Sequence, residues 1–367
     1  AVAVSDLVNA VGLMIGGLMI PVFGLMAIGG GSMMEGLSTL TANHPEKFNA
    51  IGSSTSAVPF ATIFTGMMLV QLFYWGTNQA IIQRALGAKS LEEGQKGLII
   101  ASFIKILGPL IVVLPGIIAF HMFGGTLESG DEAYPALVKR VLPAPLLGFF
   151  AAVIFGAIMS SFNSALNSSV TLFGLDIYKE HINNEASERQ VVKMGKTFGI
   201  VLAIGAMFVA PQIAKADGIF GYLQEVNGCY SIPILTIIVV GFATKFVPAI
   251  AAKIALGLGV VLYSISQFIL KPMMESKAVD ALKTAGITDE SALDAASAGA
   301  YPHFLHIMAI LFVLNVVIML VIGKLKPRES AYVQKYTEEV DITPWKLVKP
   351  IGALICVIVI GVYIYFS

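Results

Sequence analysis

Between Phe155 and Leu175 the chain reads FGAIMSSFNSALNSSVTLFGL. Here Ser160, Ser161, Asn163, Ser164, Asn167, Ser168, Ser169 and Thr171 interrupt an apolar segment that runs from about Leu146 to Leu175. Segments of that length commonly span a bilayer. At 3.6 residues per turn, Ala157, Ser160, Ser161, Ser164 and Ser168 fall on one stripe. Two chemistries fit such a stripe. Small residues let membrane helices approach closely, and hydroxyls bond across helices or back to the i−4 carbonyl. Alternatively, hydroxyl and carbonyl oxygens are hard ligands for a small hard cation, and no charge on this helix needs neutralising.

Three further stretches carry polar groups where apolar ones are expected. Lys105 stands in ASFIKILGPLIVVLPGIIAF with several apolar turns after it. A lysine at a helix centre costs about 2.5 to 3.5 kcal/mol. It either reaches the interface or donates hydrogen bonds into a substrate cavity. In MMLVQLFYWGTNQAIIQRALGAKS, Gln71, Trp75 and Asn78 are spaced i, i+4, i+7, with Tyr74 alongside and Gly76 and Thr77 weakening the helix. Aromatic faces beside amides suit a sugar, whose ring stacks while its hydroxyls take donor and acceptor pairs. The same residues also fit an aromatic belt at the interface, with Arg84 already near water. In GIFGYLQEVNGCYSIPIL, Gln224, Glu225 and Asn227 are strongly polar, and Gly218, Gly221, Gly228 and Pro233 make the span interruptible. Broken helices at membrane depth line cavities; the alternative places residues 224–228 at the extracellular mouth. Asp6, in AVAVSDLV, is the acid nearest the start of the first span. It is either interfacial or an attractor for a departing cation.

The elements that must position these residues are membrane helices. Of 367 residues, 56% are hydrophobic and 13% charged, and mean hydropathy is +0.82. Soluble domains carry about 25% charged residues, so the chain is expected to be an all-α polytopic membrane protein. Nine candidate spans are predicted, near 4–30, 58–82, 98–121, 146–173, 194–213, 219–243, 247–270, 303–323 and 348–366. None shows the period-2 pattern of a barrel strand. The connection 271–302 reads as polar helix and turn, and 132–142 as a short amphipathic piece for the interface. Cys229 and Cys356 offer no disulfide framework or metal spacing. The histidines stand alone at helix ends or in loops, apart from the i, i+3 pair His303 and His306. That pair lacks acidic company and reads as interfacial rather than metal-binding. Connections after the even-numbered spans hold fourteen Lys and Arg against seven after the odd-numbered ones, Lys215 and Lys335 among them. The first set is therefore cytoplasmic and the C-terminus extracytoplasmic. The chain opens on Ala1 with an apolar run and no basic n-region, and further sequence is expected before it.

YWGTNQAIIQRALGAKS, the lysine of ASFIKILGP and FGAIMSSFNSALNSS, in this order, resemble the sodium:solute symporter family, and especially its sodium/sugar branch of the bacterial sodium/galactose type. The resemblance extends over essentially the whole chain. The tyrosine–tryptophan segment is specific to the sugar and inositol branch, whereas the serine-rich span is shared family-wide. The SD of AVAVSDLV fits the family pattern as well, with the acid along the sodium exit route.

The resemblance implies roles residue by residue. Ala157 through its carbonyl and Ser160 and Ser161 through their hydroxyls correspond to sodium ligands. Lys105 corresponds to a donor to sugar hydroxyls, Gln224 to another sugar contact, and Phe220 to part of the outer gate. Tyr74 corresponds to the inner gate beneath the sugar, followed by Trp75, and Asp6 to the sodium exit. Gln71 stands where the galactose pattern has Asn, which keeps the amide but lengthens its reach. The implied fold is LeuT-like, with two inverted five-helix repeats plus peripheral helices. The nine spans correspond to its last nine of fourteen, as one transmembrane transporter domain over 1–367. The implied activity is symport of sodium with a neutral monosaccharide of the galactose or glucose class, by alternating access in the cell (inner or plasma) membrane. No bond changes, so an enzyme is not expected. Expected partners are sodium, the sugar and the lipid bilayer, with no nucleic acid; the oligomeric state is left open. Rival readings are a sodium symporter for inositol, sialic acid or an amino acid, a sugar sensor of the same fold, and a structural subunit whose serines only pack.

Overall fold

The structure, a computed structural model, describes residues 2–53, 56, 58–124, 126–127, 129–213, 219–333 and 340–367. Lys215, Gly218 and Lys335, named above, lie outside the described residues. Among those described there is no β-strand, only an isolated bridge between Ser90 and Asp341. Among the described residues eight helices are long and apolar enough to cross a membrane, and they coincide with eight of the nine expected spans. The ninth, 58–82, is not one rod. It is a 3₁₀ turn Phe60–Phe64 followed by helices Gly66–Gly76 (α3) and Gln79–Leu86 (α4). Pro59, Gly66 and the Gly76–Thr77 pair break the ladder on either side of α3.

The described chain forms two compact units. The first comprises 1–50, 83–219 and 340–367. It begins with α1 (Val2–Ile28), which stops where Gly30 and Gly31 take φ of +59° and +107°. That left-handed backbone costs glycine little and strains other residues. Ser32 then caps α2 (Met33–Asn43), accepting from the Glu35 N–H at 3.3 Å. Helix α5 (Leu91–Ile106) is capped in the same way by Ser90. Pro109, with no N–H to return to the Lys105 carbonyl four residues back, opens the ladder into a π-helical turn, Pro109–Val113, before α6 (Leu114–Phe123).

The short helix α7 (Ala133–Val141) confirms the amphipathic piece, but its apolar face is taken by protein: Leu137 and Val138 are buried with Ile20, Leu40, Ile118 and Phe150. Helix α8 (Ala144–Leu172) lies along α1, where Gly12 and Gly16 meet Val153 and Phe150. It continues as a π-helical stretch to Ile182. Helix α9 (Glu188–Ile213) packs on α8 with Gly195 and Gly199 against Val170, and Phe173 stacks on Phe198 at 4.1 Å. In lipid such contacts act through van der Waals packing, because tails are as apolar as the side chains. Helix α15 (Val348–Tyr365) follows a segment tied to α5 by bonds from Leu91 N to the Asp341 carbonyl, 2.9 Å, and from Trp345 N to Gln95 Oε1, 2.7 Å. One expectation is corrected here. His44 and His121 are not alone, since His44 Nε2 and His121 Nδ1 lie 3.1 Å apart in a hydrogen bond joining the end of α2 to α6.

The second unit comprises 51–82 and 220–339. Helices α10 (Ile219–Ala243), α11 (Ala249–Ile265) and α14 (Phe304–Leu325) form its core. Gly228 of α10 faces Tyr263 and Met308 so closely that a Cβ has no room, and Gly259 of α11 faces Pro233 and Asn315. Contrary to the broken-helix expectation, α10 is continuous through Gly221, Gly228 and Pro233. Gly228, Ile232, Pro233 and Leu235 are buried, and the helical run is unbroken despite the missing proline N–H. The 271–302 connection forms α12 (Lys271–Thr284) and α13 (Glu290–Gly299), as the sequence indicates.

Candidate functional site

In the first unit the serine stripe of α8 meets α1 and α4. Ser160 Oγ donates to Asp6 Oδ1 at 2.5 Å. Asp6 Oδ2 accepts from Arg84 Nη2 at 2.6 Å and from Arg84 Nε at 3.1 Å. Arg84 Nη2 also donates to Ser164 Oγ, and Ser164 Oγ donates to the Ser160 carbonyl at 2.7 Å. One turn along α1, Asn9 Nδ2 donates to the Gly156 carbonyl at 3.2 Å. Gly156 permits that approach, because a Cβ there would crowd the Asn9 amide. Asp6, which the sequence sets apart from the stripe, is thereby bonded to it.

The hydroxyls of α8 divide into two sorts. Ser164, Ser169 and Thr171 bond back to carbonyls four residues earlier, which is packing chemistry. Ser160 reaches across to another helix, and Ser161 is exposed, its hydroxyl without a hydrogen-bond partner among the described residues. Ala157 lies one turn before them, half-buried, and its carbonyl retains a second lone pair beyond the helical bond. Ala157, Ser160 and Ser161 thus present neutral oxygens on one turn, with a carboxylate bonded to the middle one. No group of three or more His, Cys, Asp or Glu suited to a metal exists among the described residues. The oxygen set is of the kind that a singly charged hard cation accepts.

Lys105 occupies the last turn of α5, on the exposed side of the helix, four residues before the proline that opens the π turn. Such turns recur at functional sites because they free backbone groups. Lys105 belongs to the first unit; Gln71, Tyr74, Trp75, Phe220 and Gln224 belong to the second.

Within the second unit, α3 turns Gly66, Val70 and Phe73 inward, with Phe73 edge-on to Tyr230 at 5.9 Å. The amide and aromatic face points away from that core. Gln71 Oε1 accepts from Trp75 Nε1 at 3.0 Å, and Tyr74 meets Trp75 in a T-shaped pair at 5.3 Å. Tyr74 and Trp75 remain 42% and 39% exposed. Met68, Gln71, Leu72, Trp75 and Gly76 line a shallow recess of about 350 Å³. Asn78 does not share this face. The helix ends at Gly76, and Asn78 instead starts α4, its Oδ1 accepting from Ala80 N at 3.0 Å. Asparagine competes for backbone donors where a helix begins, and that local bond outweighs the i+7 spacing.

On α10, Phe220 is 66% exposed and lies one turn before Gln224. Gln224 Oε1 accepts from Asn227 Nδ2 at 3.5 Å, and Asn227 Oδ1 accepts from the Tyr230 hydroxyl at 2.5 Å. Glu225 pairs with Lys271 at 2.9 Å, and its carbonyl accepts from the Tyr263 hydroxyl at 2.8 Å.

Two functional candidates escaped the sequence reading. Arg84, which reads from the sequence as a residue near water, pairs with Asp6, and Lys271 pairs with Glu225. The available signal was an unpaired acid inside each apolar span, Asp6 and Glu225, since a membrane acid requires a partner.

The sequence model of the sodium:solute symporter family matches residues 1–259. An uncharacterized symporter of Escherichia coli (strain K12), YidK, is 45% identical over 364 residues, covering 99% of this chain and 59% of that protein. A sodium/glucose cotransporter of Vibrio parahaemolyticus is 34% identical over 267 residues, 67% of this chain and 49% of that protein. A sodium/myo-inositol cotransporter 2 of Rattus norvegicus is 30% identical over 275 residues, 66% of this chain and 40% of that protein. The chain spans about half the length of the curated relatives it matches.

Proposed function

Because the chain belongs to the sodium:solute symporter family, a family of multi-pass membrane transporters rather than enzymes, we propose that it carries a neutral monosaccharide of the galactose or glucose class together with sodium. The observation that carries this reading is the oxygen face of α8, where Ala157, Ser160 and Ser161 stand on one turn with Asp6 bonded to the stripe. Sodium binds at that face and leaves past Asp6. Lys105 donates to sugar hydroxyls, Gln71 and Gln224 contact the sugar, Tyr74 with Trp75 forms the inner gate, and Phe220 the outer one. The chain functions as one transmembrane transporter domain of the LeuT-like inverted-repeat fold, with its C-terminus outside the cytoplasm. Relatives named for glucose support the sugar assignment, and relatives named for myo-inositol support a second reading, inositol. Gln71, one methylene longer than the amide of the galactose pattern, keeps that second reading open.

One charge falling through 100 mV releases about 2.3 kcal/mol, and a tenfold sodium gradient adds about 1.4 kcal/mol. One sodium therefore supports roughly 500-fold accumulation at best. The test is uptake by the reconstituted protein under an imposed inward sodium gradient. Accumulation of galactose or glucose that collapses without sodium is expected. Accumulation of inositol alone selects the second reading, and sugar binding without accumulation selects a sensor.

A further inference from the structure

Asp6 carries one negative charge, and two cations have a use for it. In the structure the guanidinium of Arg84 holds it, with Nε and Nη2 both on Oδ2. The same guanidinium bonds Ser164 Oγ, about one helical turn from the Ser160–Ser161 pair, a rise of roughly 5 Å. Asp6 Oδ1 is taken by the Ser160 hydroxyl, which has one proton to donate and two lone pairs left to accept a cation. The side chains of Asp6 and Arg84 are 20% and 37% exposed, so the pair is only partly wetted and its charges are incompletely screened.

We propose that Arg84 is a tethered cation that competes with sodium for the negative charge of Asp6, so that the Arg84–Asp6 latch and sodium occupancy of the α8 oxygen face exclude one another. The proposal rests on the sodium reading of Ala157, Ser160 and Ser161. With the latch closed, a sodium ion at Ser160 and Ser161 faces a positive guanidinium a turn away and a carboxylate already neutralised. With the latch open, the carboxylate held in place by Ser160 faces the ion directly. Arg84 comes from α4, Asp6 from α1 and Ser160 and Ser164 from α8, so opening the latch also loosens the tie among three helices. A closing Arg84 displaces sodium without needing the ion to leave first. Arg84 is thus a positioning residue, acting on sodium through Asp6 rather than by touching it.

The test is sodium titration of the purified protein by isothermal calorimetry, with thermal stability in sodium-free buffer as the folding control. Arg84→Gln, which removes the charge and keeps donors, is expected to tighten sodium binding at least fivefold. Arg84→Lys keeps a cation and should stay within about twofold of wild type. Asp6→Asn leaves Arg84 uncompensated and should weaken binding about tenfold, while Asp6→Asn combined with Arg84→Gln should recover most of that loss. A merely structural clamp predicts another pattern, with Arg84→Gln and Arg84→Lys both lowering stability and weakening binding together; that result overturns the latch. Should Arg84→Gln fail to fold, Ser164→Ala removes one anchor of the guanidinium and, beyond a bond to the Ser160 backbone carbonyl, leaves the proposed ligand oxygens of Ala157, Ser160 and Ser161 in place. It should tighten sodium binding twofold to threefold, and unchanged or weaker binding overturns the proposal. Absence of saturable sodium binding in the wild type would defeat the sodium reading itself. Wild-type binding with no gain in Arg84→Gln defeats only the latch.

Discussion

The polar groups of the two units are organised in opposite ways. In the first, Asp6, Arg84 and Ser160 converge across gaps of 78 and 154 residues, and a full charge of each sign is compensated within one cluster. In the second, the amides bond along their own helices, Gln71 with Trp75 four residues on and Gln224 with Asn227 three residues on. Long-range convergence fixes oxygens in space, as an ion of fixed radius requires. Short bonds along one helix hold side chains ready yet are easily exchanged for the hydroxyls of a neutral ligand, since each such bond contributes only about 0.5–1.5 kcal/mol net. Glu225 and Lys271 qualify the contrast: the second unit also compensates a charge across distance, but away from the aromatic face, on α10 and at the start of α12.

The comparison breaks most visibly at Lys105, a full charge in the first unit assigned to the neutral substrate. A charge-assisted hydrogen bond to a sugar hydroxyl contributes about 1.5–3 kcal/mol. Lys105→Ala should therefore weaken sugar binding by roughly 10- to 150-fold while sodium binding and fold persist. Equilibrium dialysis with and without sodium measures both, and sugar affinity within twofold of wild type would assign Lys105 to the interface. Next in size is Ser161→Ala, where loss of one oxygen ligand should lower sodium affinity about tenfold, about 1.4 kcal/mol, with sugar contacts intact. Unchanged sodium dependence in a folded variant would reduce the whole α8 stripe to packing. In the second unit Tyr74→Ala should weaken sugar retention by about fivefold through loss of a stacking face worth about 1 kcal/mol, and Tyr74→Phe should stay within twofold. Equal damage by both in an efflux assay would shift the role to the phenol hydroxyl. The smallest effect is expected from Gln71→Asn, which releases Trp75 Nε1 and shortens the amide. It should shift preference among galactose, glucose and inositol by about two- to threefold in competition uptake, and no shift would remove Gln71 from the specificity-determining set.

Much of the first unit's chemistry was legible because it follows the chain. The α8 stripe is a matter of helical period. What failed to be legible has a common cause. The i+7 spacing puts Asn78 on the Gln71 face, yet a local bond from Ala80 N to its Oδ1 starts a new helix there. Residues 219–243 carry three glycines and a proline, enough to expect a break, yet Gly228 is where Tyr263 and Met308 close in on α10, so the same residue that weakens the helix locally is what packing requires. His44 and His121 look isolated at a separation of 77 residues and bond to each other in the fold.

The sequence alone determined the membrane class, the positions of the long apolar helices and the stripe of oxygens on α8, because hydropathy and helical period are properties of neighbours along one chain. Tertiary structure alone decided that Arg84 closes on Asp6, that Ser160 reaches Asp6 rather than its own helix, and that Lys271 neutralises Glu225. A charge buried in a span must find a partner, but which of several distant residues supplies it depends on the close approach of helices at positions such as Gly156, where the absence of a side chain brings α1 and α8 within hydrogen-bonding reach.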